Sequence, residues 1–298
     1  MSKSSNFTLP NSTMRIVDKL LHVEKSLQSY GITESHIEAS LLAATALGES
    51  RADLYANLYD EIPEKALLAL DGFVERRLQR EPLAYILQNR EFYGLQLGVR
   101  HGVFIPRPET ELLVDLAIQR IQNRPAQPTP AVVEVGTGCG AISIAIASNV
   151  SGVSLYATDI SNVALSLAKT NADTHDVGEF VHLVKSDLLT CFIGTIDILI
   201  ANLPYLESSR IPTLAPEIFL HEPIEALDGG LDGCRLINQL LSQASNLLAS
   251  DATILLEMDP EQFTVIVEHA KTIWPTAEFT RHYDLSQTDR ILEICLNS

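Results

Sequence analysis

From Ala131 to the last residues, short apolar runs alternate with segments of helical periodicity, and this alternation restricts the fold more than any other feature of the chain. AVVEVG, VSLYATD, FVHLVKSD, IDILIANLP, TILLEM and DRILEICL read as strands, and GAISIAIASN, SNVALSLAKTNAD, GCRLINQLLSQASNLLA and EQFTVIVEHAKTI read as helices between most of them. The pattern predicts a doubly wound α/β domain. Right-handed crossovers in such a sheet bring the carboxyl ends of consecutive strands to one edge, so a ligand is expected in the loops that follow those strands. No internal repeat or low-complexity tract is present.

The preceding part of the chain has a different character. From about Ser12 to Gln79 apolar residues recur every three to four positions. Ile16, Val17, Leu20, Leu21 and Leu27 mark a first helix that ends at a Gly31 cap. Ile37, Leu41, Leu42 and Leu47 mark a second, from near Thr33 to Gly48. A third opens with Pro63 in its first turn and carries Leu67, Leu70, Phe73, Val74 and Leu78. Residues 1–81 are therefore expected to form a small helical domain, and REFYGLQLGVRHGVFIPRP, with its partial alternation around Gly94, a hairpin linker over 82–104. The main domain then spans 105–298, with a helix from Glu109 to Ile121 broken by the proline-rich loop Gln122 to Pro130.

Composition removes several functional classes. A chain of 298 residues with 46% hydrophobic residues can bury a sizeable core. Its formal net charge of -17 repels a phosphate backbone, so direct nucleic-acid binding is not expected. The polar start MSKSSNFTLPNSTMR lacks the apolar core of a signal peptide and no later run is long enough for a bilayer, so a cytoplasmic location without a membrane partner is expected. Cys139, Cys191, Cys234 and Cys295 form no CxxC pair and read as free thiols, and the histidines show no HxxxH or HExxH spacing, so no metal is expected.

Glu134-Val135-Gly136-Thr137-Gly138-Cys139-Gly140 follows the strand AVVEV directly and precedes an apolar helix. Glycines there permit a tight turn and close backbone approach, and exposed N–H groups at the helix start can meet a carboxylate or phosphate. Such a turn can also do no more than pack a helix against a strand. GTGCG differs from the dinucleotide GxGxxG, an acid precedes its first glycine by two, and no arginine replaces the acid further on; these features favour S-adenosylmethionine as the cofactor. Asp159 ends the next strand, about twenty residues later, where an acid accepts hydrogen bonds from ribose hydroxyls. The alternative for Asp159 is a helix N-cap, which Ser161 could serve equally well. Asp187 and Leu188, after the third strand, sit where an adenine amino group and ring edge would lie, or form an ordinary strand-end turn.

Asn202-Leu203-Pro204-Tyr205 follows the buried strand IDILIA. Proline cannot continue a ladder and freezes the backbone, so the loop reads as preorganised. The asparagine amide and neighbouring carbonyls can hold both hydrogens of a planar NH2 group and direct its nitrogen at an incoming methyl, while Tyr205 offers a flat face for stacking. A turn that simply ends a strand is the plain alternative. Arg107, between Pro106 and Pro108, is a fixed guanidinium, and Glu109 with Glu111 starts the following helix where acids suit the macrodipole; a structural ion pair between domains is the other reading.

These motifs resemble those of a known family. An NPPY-like loop is similar to that of methyltransferases acting on planar NH2 groups, and GVFIPRPETE (102–111) resembles the IPRPETE signature of the release factor glutamine methyltransferases, the PrmC/HemK family. EPLAYILQNREFYGL resembles that family's linker and EPIEALDGGLDG, Glu222 to Gly233, its EPxxALxGGxDG segment, so the likeness runs from about Ile32 to the end. The resemblance implies a Rossmann-like class I methyltransferase sheet, with Phe104 to Glu109 bordering the cofactor pocket. It implies that Gly136, Thr137, Gly138, Cys139, Gly140, Asp159, Asp187, Leu188 and Asn202 hold S-adenosylmethionine. Asn202, Leu203, Pro204 and Tyr205, with Arg107 and Glu109, would hold the substrate, and Asn202, Pro204 and Tyr205 would serve the chemistry. The implied acceptor is the glutamine of the GGQ loop of a class 1 peptide-chain release factor, received with help from the helical domain. Leu203 stands where the family has proline, and NLPY also resembles the loop of rRNA adenine dimethyltransferases; a glutamine of a ribosomal protein is the third candidate acceptor. EMDPEQ and DLSQTDR depart from the family's EIGxxQ and DxxGxDR, which bears on the packing of the last strands.

Overall fold

The computed structural model describes residues 14–124 and 129–297, so part of the expected loop Gln122 to Pro130 lies outside the described residues. The chain divides into two compact units, with the boundary between Leu87 and Gln88.

The first unit is helical: α1 (Ile16–Ser29), α2 (Ser35–Leu47), α3 (Arg51–Ala56), α4 (Glu64–Leu78) and α5 (Leu83–Leu87). Leu27, Leu42, Leu54 and Leu70 are fully buried in its core. Gly48 ends α2 in the left-handed conformation, and Ser50 caps α3 by accepting from the Asp53 N–H at 3.1 Å. Three helices were expected; α3 and α5 are one to two turns long and too short to show a period. Leu21 and Ile37 fall off the apolar stripes and are exposed, and Pro63 stands just before α4 and not within it. Inside this unit Arg77 holds Glu38 through two hydrogen bonds, at 2.6 and 3.1 Å, so neither buried charge is uncompensated.

The segment expected as a linker over 82–104 is divided between the units. Residues 83–87 form α5, whose Ile86 joins the helical core. The hairpin β1 (Asn89–Phe92) and β2 (Leu95–Gly98) belongs to the second unit. A two-stranded ribbon has no core of its own, and this one is fastened by Asn171, which accepts from the Gly98 N–H at 2.8 Å and donates to its carbonyl at 3.0 Å.

The second unit continues with α6 (Glu111–Gln122), β3 (Val132–Val135), α7 (Ala141–Asn149), β4 (Leu155–Asp159), α8 (Asn162–Thr174), β5 (Val181–Lys185) and β6 (Ile196–Ala201). An excursion with β7 (Leu206–Glu207), α9 (Pro216–His221) and β8 (Asp228–Gly230) leads into α10 (Arg235–Ala244), β9 (Leu248–Glu257), α11 (Phe263–Ile273), β10 (Glu278–Tyr283) and β11 (Asp289–Cys295). Seven strands form one sheet in the order β10-β11-β9-β6-β3-β4-β5; the five from β9 to β5 run parallel, and β11 is antiparallel to both β9 and β10. The doubly wound domain read from the sequence is thus present with a mixed edge. β10 escaped the sequence reading because EFTRHY is an edge strand, mostly exposed and polar. α10 ends five residues before the expected Ala249, because Leu248 pairs with Ile196 and opens β9. The divergent DLSQTDR turn still closes the last hairpin: Gln287 takes the left-handed φ of +62° at the family's glycine position, and Asp284 accepts from Ser286 and Thr288 N–H groups at 2.8 and 3.0 Å.

Candidate active site

The chain runs outward from β3 to β4 and β5, then returns across the sheet to β6, so the winding reverses between β3 and β6. Their ends are in register, Val135 opposite Ala201. The glycine turn and the Asn202 loop therefore leave the sheet side by side, which is the crevice where open α/β sheets bind ligands. A cleft of about 930 Å³ opens there, lined by Arg107, Gly136 to Cys139, Asp159, Asp187, Leu188 and Asn202 to Tyr205 among others. Gly140 and Glu109, named in the sequence as ligand residues, are not in its lining, nor are Ile105 and Pro108 of the expected border Phe104 to Glu109.

The glycine turn does not present a row of free N–H groups. Those of Gly136 and Thr137 donate to the Thr158 carbonyl at 2.8 and 2.9 Å, and that of Gly138 to Asp159 Oδ2 at 2.9 Å. These three N–H groups are engaged within the protein, and this part of the turn offers a backbone surface to the cleft. Gly140 is a packing glycine: at φ +87° it brings α7 onto α8, and a Cβ there would stand 2.8 Å from Ile144 Cδ1 and 3.1 Å from Ala168 Cβ.

Glu134 lies beneath the turn, fully buried. Its Oε2 accepts from Thr137 Oγ1 at 2.9 Å, from the Ser143 N–H at 3.1 Å and from the Ser143 hydroxyl. Burial pushes its carboxyl up to about 7, with Asp159 adding to the effect and the three hydrogen bonds opposing it. A folded-state value above the unfolded one stabilises at low pH and loses that contribution as pH rises through the folded value. Stability is therefore expected to fall as pH rises from about 4.5 to about 7. The loss is on the order of a few kcal/mol, since each tenfold change in proton affinity corresponds to about 1.4 kcal/mol. Glu134→Gln should flatten that fall in thermal unfolding scans, and identical slopes for variant and parent would exclude Glu134 as its source.

Asp159 is half-buried at the end of β4, and burial raises its pKa while the Ser161 and Gly138 N–H groups it accepts oppose the rise. Ser161 supplies the cap of α8, accepting from the Ala164 N–H at 3.3 Å, so the capping alternative for Asp159 falls to its neighbour. Asp187 is exposed and Leu188 buried, both on the cleft. Leu188 holds φ at +52°, a strained conformation for a bulky side chain and of the kind that accumulates at functional sites.

Four contacts anchor the loop after β6. Asn202 Nδ2 donates to Thr110 Oγ1 at 3.1 Å. Leu203 is buried, its Cδ2 only 3.0 Å from where a Cβ on Gly136 would stand, so side-chain packing replaces the rigidity that proline would confer. The Tyr205 carbonyl accepts from Gln262 Nε2 at 2.6 Å, and its hydroxyl donates to Glu257 Oε1 at 3.3 Å. Burial raises the Tyr205 pKa strongly, so the phenol stays protonated. The expected stacking ring is thus also a tether into the core. The DGGLDG glycines have a packing reason: a Cβ on Gly233 would collide with the Tyr205 carbonyl and Gln262. Leu203→Ala should destabilise the fold by roughly 2–4 kcal/mol through the cavity it leaves. Denaturant titration at constant m-value reads this, and an unchanged midpoint would mean that the leucine does not hold the loop.

Arg107 forms an ion pair with Glu222, whose Oε2 also accepts from the Ile105 N–H at 3.2 Å, and its guanidinium lies 4.7 Å from the Phe104 ring centroid. An ion pair between domains was the alternative reading for Arg107; the pair found lies within the second unit, where it ties residues 105–107 to the segment after α9. Glu109 is exposed and stands close enough to Glu257 to raise its pKa. The sequence reading missed the roles of Thr110, Glu222 and Glu257. All three lie inside quoted segments, Thr110 in GVFIPRPETE, Glu222 in EPIEALDGGLDG and Glu257 at the head of EMDPEQ, where the end of the apolar run TILLE was the available signal.

Asp159, Asp187, Glu225 and Asp228 line the cleft together with the buried Glu134, and they outnumber its two guanidiniums, Arg107 and Arg235, of which Arg107 is already paired, so a cationic ligand is favoured over one bearing phosphates. Among the described residues no helix is long and apolar enough to cross a membrane, and no group of three or more His, Cys, Asp or Glu side chains could hold a metal ion.

The strand order, the antiparallel β11 and an acid-lined crevice at the switch point define a methyltransferase of the α/β class. Residues 18–87 match the PrmC N-terminal domain and residues 110–231 the methyltransferase small domain. A release factor glutamine methyltransferase of Rhodopirellula baltica is 34% identical over 267 residues, covering 87% of this chain and 88% of the relative. One of Gloeobacter violaceus is 34% identical over 241 residues, 80% of this chain and 82% of the relative. The chain belongs to the release factor glutamine methyltransferase family. The solved human METTL16 catalytic domain in complex with MAT2A 3′UTR hairpin 1 superimposes with a TM-score of 0.56 at 13% identity, over 75% of this chain and 80% of that one, and shows the shared fold.

Proposed function

We propose that this chain transfers a methyl group from S-adenosylmethionine to the side-chain amide nitrogen of the glutamine in the GGQ loop of a class 1 peptide-chain release factor. The observation that carries the reading is the Asn202 amide, fixed beside the glycine turn at the mouth of an acid-lined cleft. The residues present fit the cofactor: Gly136 to Cys139 give a backbone surface, Asp159 an acceptor for ribose hydroxyls, Leu188 an apolar edge, and the carboxylates an environment for a cationic sulfur. Bound there, S-adenosylmethionine supplies an electrophilic methyl group.

The protein's part is positioning. An amide nitrogen is a weak nucleophile because its lone pair is delocalised into the carbonyl, so acceleration comes from holding it in line and dry. Asn202 and the backbone carbonyl of Leu203 accept the two N–H groups, Pro204 limits the loop's freedom, and the Tyr205 ring faces the acceptor chain. Arg107 and Glu109 border the acceptor side, and the helical unit receives the body of the release factor. The reading places the protein in the cytoplasm, without membrane or direct nucleic-acid partners.

The NLPY sequence of the loop favours one second acceptor, the amino group of adenine in RNA. Labelled methyl transfer to purified release factor, to the same factor with its GGQ glutamine replaced by alanine, to ribosomal protein and to total rRNA separates the readings. Labelling of the intact GGQ protein alone is expected. Labelling of RNA or ribosomal protein instead moves the acceptor, and silence everywhere overturns the enzyme reading.

A further inference from the structure

Thr110 ends the short 3-10 turn Pro108–Thr110 and is buried against Asn202, whose Nδ2 it accepts at 3.1 Å. Glu257, at the carboxyl end of β9, is 2% exposed. Its Oε1 accepts from the Tyr205 hydroxyl at 3.3 Å, while Oε2 is buried with no hydrogen-bond partner. A buried carboxylate oxygen without a donor is costly, and Thr110 stands near enough to favour the charged form of Glu257. A threonine hydroxyl has one proton. When that proton is turned to the carboxylate, the oxygen can only accept from its other neighbour, and Asn202 must then offer its NH2 group. Oδ1 is left as the amide atom able to accept from a substrate N–H.

We propose that Thr110 and Glu257 are positioning residues that set the orientation of the Asn202 amide, so that its oxygen and not its NH2 group meets the acceptor. This rests on the planar NH2 acceptor argued above. The groups facing Glu257 are the Tyr205 and Thr110 hydroxyls, the Arg290 guanidinium and the Glu109 carboxylate. Burial pushes the Glu257 carboxyl up to about 7, opposed by Thr110, Arg290 and Tyr205 and reinforced by Glu109. Protonated, it no longer demands the Thr110 proton, and the amide loses its orientation.

The test uses the full chain with S-adenosylmethionine and intact release factor. Thr110→Val, which keeps shape and removes the hydroxyl, is expected to lower kcat by about tenfold or more with little change in KM for the cofactor, the pattern of a group acting on the reacting geometry. Thr110→Ser should recover most of the loss. Wild-type kcat should rise with pH through neutrality, and Glu257→Gln should lack that rise. A parental kcat in Thr110→Val, no recovery in Thr110→Ser, or an unchanged rise in Glu257→Gln overturns the proposal. The side-chain NH2 resonances of Asn202, assigned by their loss in Asn202→Ala, give an acceptor-free readout in the cofactor-bound protein. They should shift in Thr110→Val and hold in Thr110→Ser, and no shift also overturns the pair. If wild type leaves release factor unmodified, the glutamine reading fails while this spectrum still decides the role of Thr110 and Glu257.

Discussion

Asn202→Ala is expected to lower methyl transfer to the GGQ glutamine by about a hundredfold or more, the scale on which losing the alignment of a reacting atom acts. The variant removes the proposed acceptor for the nucleophile's N–H and, with it, the bond to Thr110. Leu203 and Tyr205 remain anchored to the glycine turn, to Gln262 and to Glu257, so the loop should keep its course. Cofactor affinity should fall much less than turnover. Single-turnover methyl transfer with saturating cofactor measures the chemical step directly, and a variant that turns over normally would refute the assignment of the loop.

The second large effect is on cofactor binding. Asp159→Ala is expected to weaken S-adenosylhomocysteine binding by on the order of tenfold to a hundredfold, since hydrogen bonds to a charged group contribute roughly 1.5–3 kcal/mol. Two losses combine: the proposed acceptor for ribose hydroxyls, and the clamp on the Gly138 N–H that shapes the turn. Because Ser161 caps α8, the helix should survive the change. Titration calorimetry separates affinity from stability. An affinity equal to that of the parent would remove Asp159 from the ribose position.

Much of the fold and of the site is legible in the residues alone. Apolar runs such as IDILIA and AVVEV mark parallel strands because a sheet wound on both faces needs apolar residues on both, and the polar motifs stand out at their ends. Gly136 to Cys139, Asp159, Leu188 and Asn202 to Tyr205, scattered over seventy positions, line one cleft because strand-end loops share an edge. Gly140 shows where a motif misleads, since a glycine that spares a ligand and a glycine that spares a neighbouring helix look alike in sequence. Ser161 and Asp159 are likewise interchangeable until geometry assigns the cap.

Periodicity and local motifs are properties of neighbouring residues, so the class of fold, the family and the loops that line the cleft are all written along the chain. The groups that stand behind those loops are not. Glu222 under Arg107, Thr110 behind Asn202, Glu257 against Tyr205 and Leu203 on Gly136 are each joined across long stretches of chain. The residues themselves stand in or beside the motifs, but which of them meet depends on how the elements pack in three dimensions, and spacing along the chain does not encode that.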